Sequence, residues 1–247
     1  MLRLSLLAAL FASLLAGSAL AAEKYKVASD CTWPPMEYLD DNKQPIGYSV
    51  DYIREAAKNA GIELDVQNVA WDGIFGGVAT GKYDIVASST TITPERQAQF
   101  DFTIPYYEVA QAVVLPQGQS ISSLADLKGK KVGGQIGTTG IYVMRKADPD
   151  AQLREYDDVG LAIQDLVGGR LDAVICDDPV AMYYVNKKPD TKGKLNLSFK
   201  TDEVEQYGFT VAKGRKDLVD KLNAGIQKVK DSGKETELIK KWMGEGN

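Results

Sequence analysis

This sequence predicts an α/β fold built mainly on parallel sheet, on three observations. From Tyr25 onward, segments with a two-residue period alternate with segments of helical period. Glycines stand where the helical segments stop. The 247 residues carry 44 % hydrophobic side chains and a net charge of −5, ordinary values for a chain that buries a core.

Tyr25 to Ser29 reads as the first strand. Ser49 then caps a helix whose apolar face uses Val50, Ile53, Ala57 and Ala60, with Gly61 as its stop. Leu64, Val66 and Val69 sit in the next strand; Ile74 and Val78 begin a short helix ending at Gly81. Tyr83 to Ala87 is a third strand, and Gln111 to Leu115 is an extended apolar segment. Lys131 to Gly133 is a strand, Thr139 to Arg145 a helix, and Leu153 to Tyr156 another strand. Asp158 caps a helix carrying Ile163, Leu166 and Val167, closed by Gly168-Gly169. Ala173 to Cys176 is a buried strand, followed by Asp178-Pro179 as a cap with proline at the first helical position. Tyr207 to Ala212 is a second extended segment. Leu218, Leu222, Ile226 and Val229 make an amphipathic helix ended by Gly233, and Leu238, Ile239 and Trp242 a last one.

The first residues read as a targeting segment. Arg3 supplies a positive start, Leu6 to Ala16 an apolar stretch, and Ala19-Leu20-Ala21 a small-x-small cleavage site, so residues 1–21 form a signal peptide and the mature chain begins at Ala22. A transmembrane anchor is the alternative, against which stand the short apolar run and the cleavage site. No cysteine marks a lipid anchor there. Export follows.

Composition excludes several chemistries. The mild acidity offers no basic face for nucleic acid, and the densest basic run, Lys128 to Lys131, reads as a solvated turn. The chain has no histidine, which removes Ser-His-Asp and Cys-His devices and most zinc chemistry. Two cysteines alone make no structural metal site, and no cofactor is expected.

The informative stretch is Ser88-Ser89-Thr90-Thr91-Ile92-Thr93-Pro94-Glu95-Arg96. Small hydroxyl residues after a strand, then an arginine, suit a carboxylate held by a guanidinium fork. On composition alone, a surface arginine beside a Ser/Thr-rich turn is the default. Gly137-Thr138-Thr139-Gly140 likewise reads by default as a tight turn, since it lacks the Gly-Lys-Ser/Thr ending of a nucleotide loop.

The Ser88–Arg96 stretch resembles the hallmark of the periplasmic amino-acid-binding proteins of ABC transporters, the family 3 extracellular solute-binding proteins. Asp30-Cys31-Thr32-Trp33-Pro34-Pro35-Met36-Glu37 is similar to the family's opening segment, with Met36 for the common phenylalanine. Ile46-Gly47-Tyr48-Ser49-Val50-Asp51 resembles its next step, with Ser49 for the usual aspartate. Trp71-Asp72-Gly73-Ile74-Phe75, Leu127 to Gly133, Gly168 to Val174 and Lys240-Lys241-Trp242 also fit, in order.

The resemblance implies a two-lobed periplasmic-binding-protein fold of type II, with two crossing strands and the ligand in the cleft between lobes. Residues 22–112 and 208–247 form the first lobe and 113–207 the second. It also implies roles. Arg96 pairs with the ligand's α-carboxylate; Ser88, Ser89 and Thr91 serve the carboxylate and the amine; the backbone N–H of Thr139 meets the carboxylate at a helix start. Asp177 accepts the ammonium, while Asp178 is better explained as the cap. Trp33 and Trp71 wall the ligand's side chain, with core packing as their alternative. Asp30 and Gln135 reach its distal end, though Asp30 also reads as a structural residue near the hinge. The motifs look most like the arginine/lysine and polar branch.

The function implied is capture of a free L-amino acid by closure of the lobes, then delivery to membrane permease subunits by a monomeric periplasmic receptor. Cys31 and Cys176, each beside a site residue, would bridge the cleft if their Cα atoms lie within about 7 Å. One rival is an enzyme on the same scaffold, a cyclohexadienyl dehydratase using Asp172 or Asp178 as its acid. Another is a soluble sensor.

Overall fold

The computed structural model describes residues 24–147 and 149–244. The expected signal peptide lies outside them. Two five-stranded sheets organise the chain. The first runs Glu63–Asn68, Lys24–Ser29, Ile85–Val86, Thr210–Ala212, Phe100–Phe102; the second runs Gln152–Tyr156, Lys131–Gln135, Ala173–Asp177, Gln111–Pro116, Leu195–Lys200. A two-stranded antiparallel ribbon, Tyr107–Val109 against Glu205–Tyr207, joins them, and the Thr32–Trp33, Glu37–Leu39 and Pro45–Ile46 strands form a small separate sheet.

Each sheet is mixed, which corrects the mainly parallel expectation. The first three strands of each run parallel and point their C-terminal ends at the space between the sheets. The strands leaving the ribbon start from that space, so they must enter antiparallel. Gln111 opposes Asp177, and Thr210 opposes Val86.

Local physics explains the elements. All five residues of Ala173–Asp177 are buried, as expected for a strand inside a sheet covered on both faces. Helix Tyr48–Ala60 buries Val50, Ile53 and Ala57 and ends at Gly61 in the left-handed conformation, φ 70°. Its N-cap is Gly47, not Ser49. A Cβ at Gly47 would lie 2.2 Å from the Met36 carbonyl oxygen, so only glycine lets the chain enter there, and Ser49 is left inside the helix. Asp158 caps its helix through the Gly160 N–H as expected. Asp178, by contrast, is the first helical residue after an Asp177 N-cap; it accepts from the Ala110 N–H at 3.2 Å and pairs with Lys200. The expected strand Tyr83 to Ala87 is seen as Ile85–Val86, flanked by bonds from the Asp84 N–H to the Lys26 carbonyl and from the Ala87 N–H to the Ala28 carbonyl, both 2.9 Å.

Two C-terminal helices, Lys216–Asp231 and Lys234–Met243, pack back on helix Tyr48–Ala60. Leu218, Leu222, Ile226 and Val229 are fully buried, and Trp242 Nε1 donates to Asp51 at 3.0 Å. Contact between Lys216–Asp231 and Tyr48–Ala60 depends on Gly225, where a Cβ would sit 2.0 Å from the Ala56 carbonyl oxygen. Gly225→Ala is therefore expected to cost about 3 kcal/mol, the upper end for overpacking, because backbone cannot yield as a side chain can. Denaturant unfolding measures this; an unchanged midpoint would show that the helices slide apart freely.

Candidate functional site

The parallel strands deliver the site residues at their C-terminal ends. Asp30 and Trp33 follow Lys24–Ser29, and Ser88, Ser89 and Thr91 follow Ile85–Val86. Gln135 ends its strand, Thr139 opens helix Thr139–Ala147, and Asp177 ends Ala173–Asp177. Arg96 sits in the short helix Pro94–Gln99, whose cap is Thr93 accepting from the Arg96 N–H at 3.3 Å. Trp71 precedes helix Ile74–Ala79.

All ten sequence-derived residues line one cleft: Asp30, Trp33, Trp71, Ser88, Ser89, Thr91, Arg96, Gln135, Thr139 and Asp177. It holds ≈ 300 Å³ of space outside protein atoms and opens to solvent. Trp71, Thr91, Arg96 and Thr139 also line a wider groove outside it, so Arg96 stands at the mouth.

The guanidinium of Arg96 lies 5.6 Å from the Trp71 ring centre and 5.4 Å from that of Phe75. Its two terminal nitrogens donate to the Thr91 carbonyl at 2.9 Å and the Gly137 carbonyl at 3.1 Å, spanning the cleft. Burial pushes its pKa down, against the pull of Tyr142, Asp177 and Glu205. No carboxylate holds it in a direct bond among the described contacts, which leaves N–H capacity for an incoming anion.

Asp177 faces it from the second sheet, 4 % exposed. Its Oδ1 accepts from Gln111 Nε2 at 2.6 Å; its Oδ2 accepts from Trp33 Nε1 at 3.2 Å and from the Tyr207 hydroxyl. Burial raises its pKa to about 7, with Glu205 adding to the rise and these donors opposing it. At the other end, Asp30 accepts from Gln135 Nε2 at 2.7 Å and Thr32 Oγ1 at 2.9 Å, and burial raises it to about 6. Burial likewise holds Glu37 well above the usual carboxylate range. Glu37 is fully buried in the cleft lining; its Oε2 takes the Ser89 hydroxyl at 2.9 Å and its Oε1 has no hydrogen-bond partner among the described residues. Ser89 itself sits at φ 44°, a conformation costing about 1–3 kcal/mol in a residue other than glycine. Its hydroxyl bonds to Glu37, with Ser49 at 3.3 Å, hold it there.

Several participants escaped the sequence reading as site residues. Glu37 carried a signal, an acid closing an apolar Trp-Pro-Pro-Met turn. So did Gln111, a polar residue opening an apolar strand. Glu205 and Tyr207, brought in by the ribbon, carried none. The cysteines correct an expectation: both are free and buried. Alternation along the strand explains this, since Asp177 faces the cleft and Cys176 therefore faces the core, where it is 1 % exposed. Cys31 Sγ instead meets the Ser29 carbonyl, and burial lifts its pKa to about 12. Neither spare acid of the enzyme reading reaches the cleft. Asp178 is tied to Lys200, and Asp172 accepts from the Lys131 N–H at 2.8 Å at the far end of the strands.

Comparison with known proteins places this arrangement. Residues 25–245 match the model of the bacterial extracellular solute-binding proteins, family 3. Over 222 residues the chain is 34 % identical to a probable histidine-binding protein of Neisseria gonorrhoeae, covering 89 % of this chain and 82 % of that one. Over 242 residues it is 34 % identical to ABC transporter arginine-binding protein 1 of Escherichia coli (strain K12), covering 96 % and 97 %. The structure of an ancestral arginine-binding protein bound to glutamine superposes with a TM-score of 0.85 at 35 % identity, over 91 % of this chain and all of that one.

Proposed function

The chain belongs to the family 3 bacterial extracellular solute-binding proteins, and from that membership we propose a receptor that closes two lobes over one free L-amino acid. It is an amino-acid-binding protein for ABC transport, as its relatives are. The finer reading rests on one observation: Arg96, on the short helix Pro94–Gln99, and Asp177, at the end of a strand of the second sheet, are of opposite charge and line the same cleft. Arg96 takes the α-carboxylate in a fork, helped by the N–H groups that open helix Thr139–Ala147, and Asp177 takes the ammonium. Trp33 and Trp71 wall the side chain, with Ser88, Ser89 and Thr91 on the floor. Asp30, Gln135 and Glu37 receive its distal end, and two acids there favour a basic or polar group.

With residues 22–112 and 208–247 as one lobe and 113–207 as the other, the ribbon Tyr107–Val109 with Glu205–Tyr207 lies beside both crossings and serves as the hinge. The ligand supplies the charges each half-site lacks and so favours the closed form. The mature receptor starts at Ala22, works as a monomer in the periplasm, and presents its closed form to permease subunits.

A thermal-shift panel of the common L-amino acids and L-cystine tests the reading. A ligand at about 100 times its dissociation constant adds about 2.7 kcal/mol, which raises Tm by roughly 5–10 °C in a chain of this size. No shift with any amino acid would refute the assignment.

A further inference from the structure

Glu205 reaches the cleft from the wider groove outside it. It lies on the ribbon opposite Val109, half-buried, and does not line the inner cleft. Its Oε2 accepts from Thr139 Oγ1 at 2.8 Å, Thr91 Oγ1 at 3.1 Å and Gln111 Nε2 at 3.2 Å. One carboxylate oxygen thus draws a hydroxyl from each lobe.

A threonine hydroxyl has one hydrogen to give and two lone pairs to receive. Bonds to a carboxylate are stronger than those to neutral acceptors, so the hydrogens of Thr91 and Thr139 stay on Glu205. Thr139 Oγ1 also lies 3.1 Å from Gln111 Nε2, whose two hydrogens go to the carboxylates of Asp177 and Glu205, and the two threonine oxygens stand 3.4 Å apart. What both hydroxyls then offer the cleft is lone pairs. A ligand carboxylate would meet oxygen against oxygen there; an ammonium would meet acceptors. Gln111 Nε2 also bonds Asp177 Oδ1, joining Glu205 and Asp177 to one donor.

We propose that Glu205 is a positioning residue that fixes Thr91 and Thr139 as hydrogen-bond acceptors and thereby makes the cleft select ligands bearing an α-ammonium. This rests on the reading of the cleft as an amino-acid site. The α-carboxylate is left to Arg96 and backbone N–H groups, and the hydroxyls do not share in holding it. Glu205→Gln keeps the shape but brings an NH₂ group against one hydroxyl, turning that hydroxyl's hydrogen toward the cleft.

The test pairs the L-amino acid giving the largest shift in the panel with the same molecule lacking its α-ammonium, 5-guanidinopentanoic acid where that ligand is L-arginine. Calorimetry measures the first and competition the second, on wild type and Glu205→Gln. The variant should bind the amino acid about 10- to 100-fold more weakly, the range of a bond to a charged group. Its affinity for the des-amino ligand should change no more than about threefold, as the cycle isolates the coupling. Thr91→Val removes one acceptor, and with it one donor to Glu205, while leaving the ribbon's own residues unchanged, and should give the same selective loss. An equal loss for both ligands would mean that Glu205 acts on closure or folding, and would overturn the proposal. So would an unchanged or tighter amino-acid affinity, the latter marking Glu205 as a competitor of the ligand carboxylate. A wild-type protein that binds no amino acid sinks the site reading and this inference together; wild-type binding with an indifferent variant sinks the inference alone.

Discussion

Arg96→Ala is expected to weaken amino-acid binding by about 30- to several-thousand-fold, the equivalent of ~2–5 kcal/mol. The size follows from what remains behind. A carboxylate pressed between Trp71 and the Thr139 helix start, away from bulk water, would keep its desolvation cost and lose its only full positive partner. The variant also loses the 3.1 Å bond from Arg96 to the Gly137 carbonyl, which ties the lobes at the mouth. The fold should persist, since the helix cap at Thr93 uses the backbone of residue 96. Arg96→Lys keeps the charge without the planar fork and should fall between. Calorimetry with the ligand from the panel decides; an affinity equal to wild type would remove Arg96 from the site.

Acidification should weaken binding steeply. In the empty cleft, burial raises Asp177 to about 7, and an ammonium can bind only once that proton has left. Affinity should therefore drop about 30-fold between roughly pH 8 and pH 5.5, approaching tenfold per unit below pH 7. Stability of the empty receptor should move the other way. Asp177 and Asp30 have folded pKa values near 7 and 6, above the ordinary 3.8, so the folded state holds more protons than the unfolded one in between. Stability from these groups is thus gained as pH falls through that window and lost as it rises. Glu37, Glu205 and Arg96 share the field, and Asp177→Asn isolates one member. That variant should bind weakly at every pH and show a flatter profile. A wild-type affinity that is level from pH 8 to 5.5 would show that Asp177 is already ionised before the ligand arrives.

Legibility in the sequence followed the range of the interaction. Helix Tyr48–Ala60 and strand Ala173–Asp177 announce themselves through periodicity and burial, because their residues solve a local problem. The direction of Gln111–Pro116 does not, since an extended apolar run looks the same entering a sheet from either end. Ser49 has a capping side chain, yet Gly47 is the cap, because a distant carbonyl at Met36 leaves no room for a Cβ. The cleft divides in the same way. Arg96 and the Ser/Thr run are close together in the chain, and their chemistry can be read there. Glu205 sits in Asp202-Glu203-Val204-Glu205, which resembles any solvated acidic stretch until the ribbon folds it beside residues 91 and 139.

The ribbon has one more implication. Along Glu205–Tyr207, the first and last side chains point toward the ligand space, bonding Thr139 and Asp177, while Gln206 between them turns toward Glu108. Deleting or inserting a single residue in this strand would swap the two faces. Gln206 would point inward, and the anion and the phenol would be cast out to water. This connector is therefore not a tether of adjustable length, and splicing a foreign linker here would erase recognition even if both halves folded well.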